Sequence, residues 1–144
     1  MPAWIAVLAV TGLIAVTLAA GWALHRRDGR ARTVDADAAE PTLVDAQLRG
    51  AHATLVQFST QFCTRCPHVR RMLGAIADAT DGVAFAEIDL THRPDLARRL
   101  HILQTPTVFV LDGDAYVRTR FTGAPTPRAV TAALDRVIGD PARV

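Results

Sequence analysis

No charged residue occurs between Met1 and Leu24, and most positions in that run are Ala, Val, Leu, Ile or Trp. A helix rising 1.5 Å per residue over such a run covers the roughly 30 Å hydrocarbon core of a bilayer. Trp4 and Trp22 stand near its ends, where indole rings favour the headgroup region. A cleaved signal peptide is the competing reading. Against it, the run has no positive amino-terminal region and exceeds an ordinary signal core. A buried core helix is the third reading, but the run lacks a polar stripe to suit the surface of a small domain. The sequence therefore predicts a transmembrane anchor over residues 1–24.

Arg26, Arg27, Arg30 and Arg32 follow the apolar run at once, and none precedes it. The positive-inside bias then predicts a single-pass protein with its amino terminus outside and its domain in the cytoplasm; an extracytoplasmic domain is the alternative. Residues 25–41, HRRDGRARTVDADAAEP, mix charges with Gly, Ala and a closing Pro41 and carry no apolar period. That pattern predicts a solvated tether. The rest, 42–140, has room for one modest domain.

Composition excludes several functions. Half of the 144 residues are hydrophobic and 21% are charged, unlike a disordered chain. A net charge of +2 with no basic block argues against nucleic acid as the partner. All the basic residues besides histidine are Arg, so Lys Schiff-base and Walker-A phosphate chemistry are absent. Two cysteines make neither a disulfide framework nor a four-thiolate zinc site.

Within the domain, 43–49 reads as a short helix or irregular lead-in, and 53–59 (ATLVQFS) as a buried central strand. Val69, Met72, Leu73 and Ile76 recur at helical spacing in 67–79. Residues 83–90 return to strand character, and Pro94 to Leu100 makes one or two helical turns. A β-branched strand at 107–111, a turn at Asp112-Gly113 and an alternating partner at 115–121 read as a hairpin. A final helix at 127–138 meets a capping Gly139. The order β-α-β-α-β-β-α predicts a mixed sheet with helices on both faces.

The chemistry is concentrated in Cys63-Thr64-Arg65-Cys66, a C-x-x-C between a buried strand and an amphipathic helix. At a helix start, free backbone N–H groups and the positive dipole end stabilise a thiolate, the form that attacks disulfides. Cys66, about one turn on, can reach back and resolve the mixed disulfide, and Arg65 adds positive charge that lowers the Cys63 pKa. Two other readings compete. Zinc would need ligands besides His68, and His52, His92 and His101 show no paired spacing, so no metal is expected. A purely structural disulfide over so short a loop gains little.

Downstream, Gln104-Thr105-Pro106-Thr107 precedes the TVFVL strand. Taken together, FCTRC at a strand-to-helix junction, IDLTHRPDLARRLHILQTPTVFVLDGD, and FTGAP before a last helix resemble the thioredoxin family over about residues 42–139. The resemblance implies an α/β thioredoxin-like mixed sheet flanked by helices and preceded by the transmembrane helix. It implies a cis Thr105–Pro106 bond facing the two sulfurs, with the Thr105 backbone able to pair with a substrate peptide, and a Gly123 that keeps the substrate groove open. Phe62 stands where the common family motif has Trp, and Thr64-Arg65 where it has Gly-Pro. The family's buried Asp–Lys pair aligns with Gln57 and Glu87. Gln57 cannot be a base, whereas Glu87 could accept the Cys66 proton if burial raised its pKa, or be an exposed strand acid. Pro67, directly after Cys66, is also unusual for the family, though tolerable in a first turn.

The expected activity is thiol–disulfide exchange on protein disulfides by a membrane-tethered enzyme without a cofactor. Cys63 and Cys66 are its catalytic pair; Thr64, Arg65, Thr105, Pro106 and Gly123 tune it or bind substrate. Its electron donor would be a thioredoxin reductase-like partner or a membrane donor. A redox-responsive binding module without turnover is the alternative from another class.

Overall fold

In the computed structural model the residues described are 2–25, 31–33 and 43–139. The apolar run forms one helix, α1 (Ala3–His25), and its span Ala3–Leu24 is long and apolar enough to cross a membrane. None of that span is buried, which removes the core-helix reading. Its length and apolar composition suit a membrane span and a signal sequence alike.

The later elements are β1 (Ala31–Thr33), a 3₁₀ turn at Ala46–Leu48, β2 (Ala53–Ser59), α2 (Cys66–Asp78), β3 (Val83–Asp89), α3 (Pro94–Arg99), β4 (Thr107–Asp112), β5 (Val117–Thr122) and α4 (Pro127–Ile138). The sheet order is β1-β5-β4-β2-β3. Among the described strands only β2 and β3 run parallel, joined through α2; β4 is antiparallel to β2 and β5 to β4.

Period-two alternation divides the core between the two sheet faces. Leu55, Val108, Val110 and Phe121 pack with Val69 and Leu73 of α2 and with Val130 and Leu134 of α4. Val56, Phe58, Phe109 and Leu111 point the other way, toward Leu96 of α3 and Val44 of the lead-in. Leu55, Leu73 and Phe121 are completely buried, each contributing about 1.5–3 kcal/mol by area alone. Local signals agree: Thr126 caps α4 by accepting from the Ala129 N–H, with Pro127 in the first turn and Gly139 closing the helix.

Two expectations are corrected. The hairpin turn is longer than Asp112-Gly113 suggests. Asp112 is the last residue of β4 and is buried; its Oδ1 accepts from the backbone N–H of Asp114 (2.9 Å) and Tyr116 (3.0 Å), and Arg118 donates to its Oδ2. This carboxylate organises a turn in which Ala115 takes φ 67°, and β5 starts at Val117 instead of 115. The second concerns the stretch read as tether. Its residues Ala31–Thr33 form an exposed strand antiparallel to β5. The remainder of 26–42, with Arg26, Arg27 and Arg30, lies outside the described residues.

Candidate active site

Ser59 ends β2 and Cys66 begins α2, leaving six residues to turn the chain from sheet to helix. The Cys63 N–H donates to the Thr60 carbonyl (3.1 Å), and the Gln61 N–H donates to Thr91 Oγ1 (3.0 Å). Thr91 in turn donates its N–H and hydroxyl to Asp89, and those hydrogen bonds hold the Asp89 carboxyl below its ordinary pKa. The turn is thereby braced against the end of β3.

Cys63 and Cys66 are joined as a disulfide with Cα atoms 5.4 Å apart. Their surroundings differ. Cys63 is partly exposed in the turn, whereas Cys66 is 2% exposed at the first position of α2. Thr64 and Arg65 are exposed between them, and Pro67 sits in the first helical turn, where a missing N–H costs no helix bond.

Behind Cys66 lies Gln57, fully buried in β2. Its Nε2 donates to the Cys66 carbonyl at 3.0 Å, while its Oε1 has no hydrogen-bond partner among the described residues. Glu87 is its neighbour across the β2–β3 register. The Glu87 carboxylate is gripped from outside by Arg70 of α2, with contacts of 2.6 and 2.8 Å. That hydrogen bonding and charge raise the Arg70 pKa. Glu87 is therefore an ion-pair partner at the rim of α2, and the group touching Cys66 is Gln57.

The second loop of the site precedes β4. The Thr105–Pro106 bond is cis, and Thr105 Oγ1 lies 3.3 Å from Thr60 Oγ1, linking this loop to the redox turn. The Pro106 carbonyl accepts from the Gly123 N–H (2.9 Å). Gly123 has φ 90°, a conformation that excludes most other residues at this close approach. Thr105, Pro106 and Gly123 thus meet beside the disulfide end of the sheet.

Three participants escaped the sequence reading. Thr60 is one. Arg120 of β5 is another: it donates to the carbonyls of Leu100 (2.9 Å) and His101, and its guanidinium lies 5.2 Å from the Phe109 ring centre. Burial first, then the facing Arg32, pulls its pKa below the ordinary arginine value. The third is Leu103, 93% exposed two residues before Thr105; Phe62, next to Cys63, is 84% exposed, so each loop of the site carries an exposed apolar side chain, an apolar rim at this end of the domain. In the sequence Arg120 alternates opposite the apolar positions Val117 and Phe121 and reads as an outward strand residue; nothing in the sequence set Leu103 apart either. Among the described residues no cluster of His, Cys, Asp and Glu is placed to hold a metal.

Comparison with known proteins gives one consistent answer. The family model described as thioredoxin matches residues 36–136. Fasciola hepatica thioredoxin superposes with a TM-score of 0.53 at 23% identity, covering 61% of this chain and 83% of that one. A mutant thioredoxin from Halobacterium salinarum gives 0.59 at 19% identity, covering 69% and 85%. Malassezia sympodialis thioredoxin gives 0.51 at 22%, covering 62% and 78%. At these identities the structural likeness speaks for the fold alone. No curated protein sequence matches.

Proposed function

The chain belongs to the thioredoxin family, and on that premise we propose that it is a membrane-tethered thiol–disulfide oxidoreductase whose nucleophile is Cys63 and whose resolving thiol is Cys66. The observation that carries the assignment is the asymmetry of the pair: one sulfur-bearing residue open in the turn, the other buried at the start of α2.

In the reduced protein the Cys63 thiolate attacks one sulfur of a substrate disulfide. A Cys63–substrate S–S bond forms, the substrate bond breaks, and the departing thiolate takes a proton. Cys66 then loses its proton and attacks the Cys63 sulfur, releasing the second substrate thiol and closing the Cys63–Cys66 bond. Two electrons and two protons pass to the substrate. A dithiol donor, either a thioredoxin reductase-like partner or a membrane electron donor, restores the pair.

The helix start and the charge of Arg65 both favour the Cys63 thiolate. Thr105, beside the disulfide, offers backbone to an extended substrate segment, with Thr64, Pro106 and Gly123 shaping the groove. The Gln57 amide is neither acid nor base near neutral pH, and Glu87 stays the counter-ion of Arg70, so in this reading the Cys66 proton leaves by the substrate thiolate or solvent.

Residues 1–24 serve as the anchor and 42–140 as the catalytic domain, with the arginine-rich flank favouring a cytoplasmic domain. Turnover of insulin disulfides with dithiothreitol as electron donor tests the enzymatic reading: wild type accelerates reduction and Cys63→Ser does not. A wild-type rate equal to that of dithiothreitol alone would favour a redox-responsive binding module.

A further inference from the structure

The strand β1 is the last described element before the main body of the domain, and its register shows at which end of the sheet the chain from the apolar helix arrives. Ala31 pairs with Phe121, Phe121 with Val108, and Val108 with Gln57. These four residues form one row across the sheet. Gln57 donates to the Cys66 carbonyl at the start of α2, so the row lies toward the end of the sheet that carries the disulfide. From Ala31 the strand runs away from that end, toward Thr33 opposite Thr119. The amino-terminal side of β1, the side joined to α1, therefore emerges at the disulfide end of the domain.

Distances limit how far the disulfide can stray from the helix. Three strand spacings of about 4.8 Å place Ala31 about 14 Å from Gln57. Five residues, 26–30, separate His25 from Ala31. Six peptide steps of at most about 3.6 Å give a reach of about 22 Å, whatever their conformation. A free tether over all of 25–41 would allow more than twice that reach and leave the domain unoriented. The far end of the sheet, at Asp81 before β3 and Asp114 in the β4–β5 turn, lies a full strand length further away.

Given the membrane-anchored reading above, on which this rests, we infer that the domain holds its disulfide end toward the bilayer and exchanges with disulfides in the juxtamembrane segments of other membrane proteins. The apolar rim of Phe62 and Leu103 is on this same end. It suits the aromatic residues that gather where a membrane span meets the headgroups. The exchange is the one already written, with two electrons and two protons passing from the Cys63–Cys66 dithiol and dithiothreitol as the restoring dithiol. Short tethering converts encounter with a neighbouring membrane substrate into a high effective concentration, provided the geometry reaches it.

The full chain in liposomes tests this. Single cysteines at Leu103→Cys and Asp81→Cys, in a Cys63→Ser/Cys66→Ser background, carry a fluorophore quenched by headgroup spin-labelled lipid. Quenching several-fold stronger at 103 than at 81 is expected; equal quenching, or stronger quenching at 81, overturns the inference. In parallel, the wild-type chain meets membrane-anchored substrates whose disulfide loop lies roughly five or roughly forty residues from the span. The near disulfide should be reduced at least about tenfold faster. A Gly-Ser insertion of about twelve residues after Asp28 should erase that preference while leaving insulin turnover unchanged. A preference that survives the insertion, or favours the distant disulfide, contradicts the inference. A chain that fails to float with liposomes refutes the anchor itself, and floating without the 103/81 difference refutes only the orientation.

Discussion

Gln57→Glu replaces a fully buried amide with an acid of the same shape, and the surroundings specify which form of that acid survives. The protonated carboxyl can still donate to the Cys66 carbonyl that Nε2 now contacts at 3.0 Å. The carboxylate could not; it would face a carbonyl oxygen and sit beside Glu87 across the register, while Arg70 is already taken up by Glu87. Burial and like charge both push the new pKa above the ordinary glutamate value of about 4.3. A group whose folded pKa is raised stabilises fully below its unfolded pKa and loses that contribution as pH rises toward the folded pKa. The loss runs at about 1.4 kcal/mol per pH unit, or up to about 3.7 kcal/mol by pH 7. Gln57→Met is the companion. It forfeits one hydrogen bond worth about 1 kcal/mol but also removes the unpaired Oε1, a burden of about 1–3 kcal/mol. It should be near neutral or slightly stabilising and independent of pH. Urea unfolding of the oxidised chain in micelles, followed by far-UV circular dichroism from pH 5 to 8 beside wild type, reads both. A Gln57→Glu profile parallel to wild type, or a loss above about 2 kcal/mol in Gln57→Met, would refute the reasoning by showing that the pocket behind Cys66 is hydrated.

Cys63→Ser should abolish disulfide turnover, whereas Cys66→Ser should accumulate mixed disulfides with substrate, read on non-reducing gels; equal trapping by both contradicts the assigned roles. Arg65→Gln should raise the pH at which the Cys63 thiolate absorbance appears, by less than the helix end contributes, because an exposed charge acts through high dielectric; an unchanged titration removes Arg65 from the tuning of the nucleophile. Leu73→Ala, at a completely buried contact between α2 and the sheet, should cost about 2–5 kcal/mol in urea unfolding. A fragment beginning at residue 42 should fold alone, since the core residues described begin at Leu43 and Val44, and circular dichroism and size exclusion check it; a molten or aggregated fragment would show that β1 is needed to cover the β5 edge.

Much of this was legible because local signals agreed with one another. The short apolar run at 53–59 and the helical spacing of Val69, Leu73 and Ile76 gave β2 and α2 to within a residue, and the C-x-x-C could be assigned to the junction between them. What the sequence hid depends on tertiary partners. The sequence left Glu87 open as a base or as an exposed strand acid, and it gave no sign of the ion pair with Arg70, seventeen residues earlier. Asp112 looked like a turn residue because Asp-Gly is a turn signal, yet burial and two backbone N–H groups make it the end of β4. Ala31–Thr33 carries no apolar alternation to mark a strand. It pairs because the β5 edge is open, which is a property of the sheet and not of those three residues.

A single-turnover experiment bears most directly on the central claim. The pre-reduced full chain is mixed with an excess of a protein substrate carrying one disulfide, quenched with an alkylating agent, and analysed by mass spectrometry. One substrate disulfide should be reduced per chain, with Cys63 and Cys66 recovered joined to each other and protected from alkylation. Substrate reduced while both cysteines remain alkylated, or no substrate reduced at all, would contradict a catalytic Cys63–Cys66 pair.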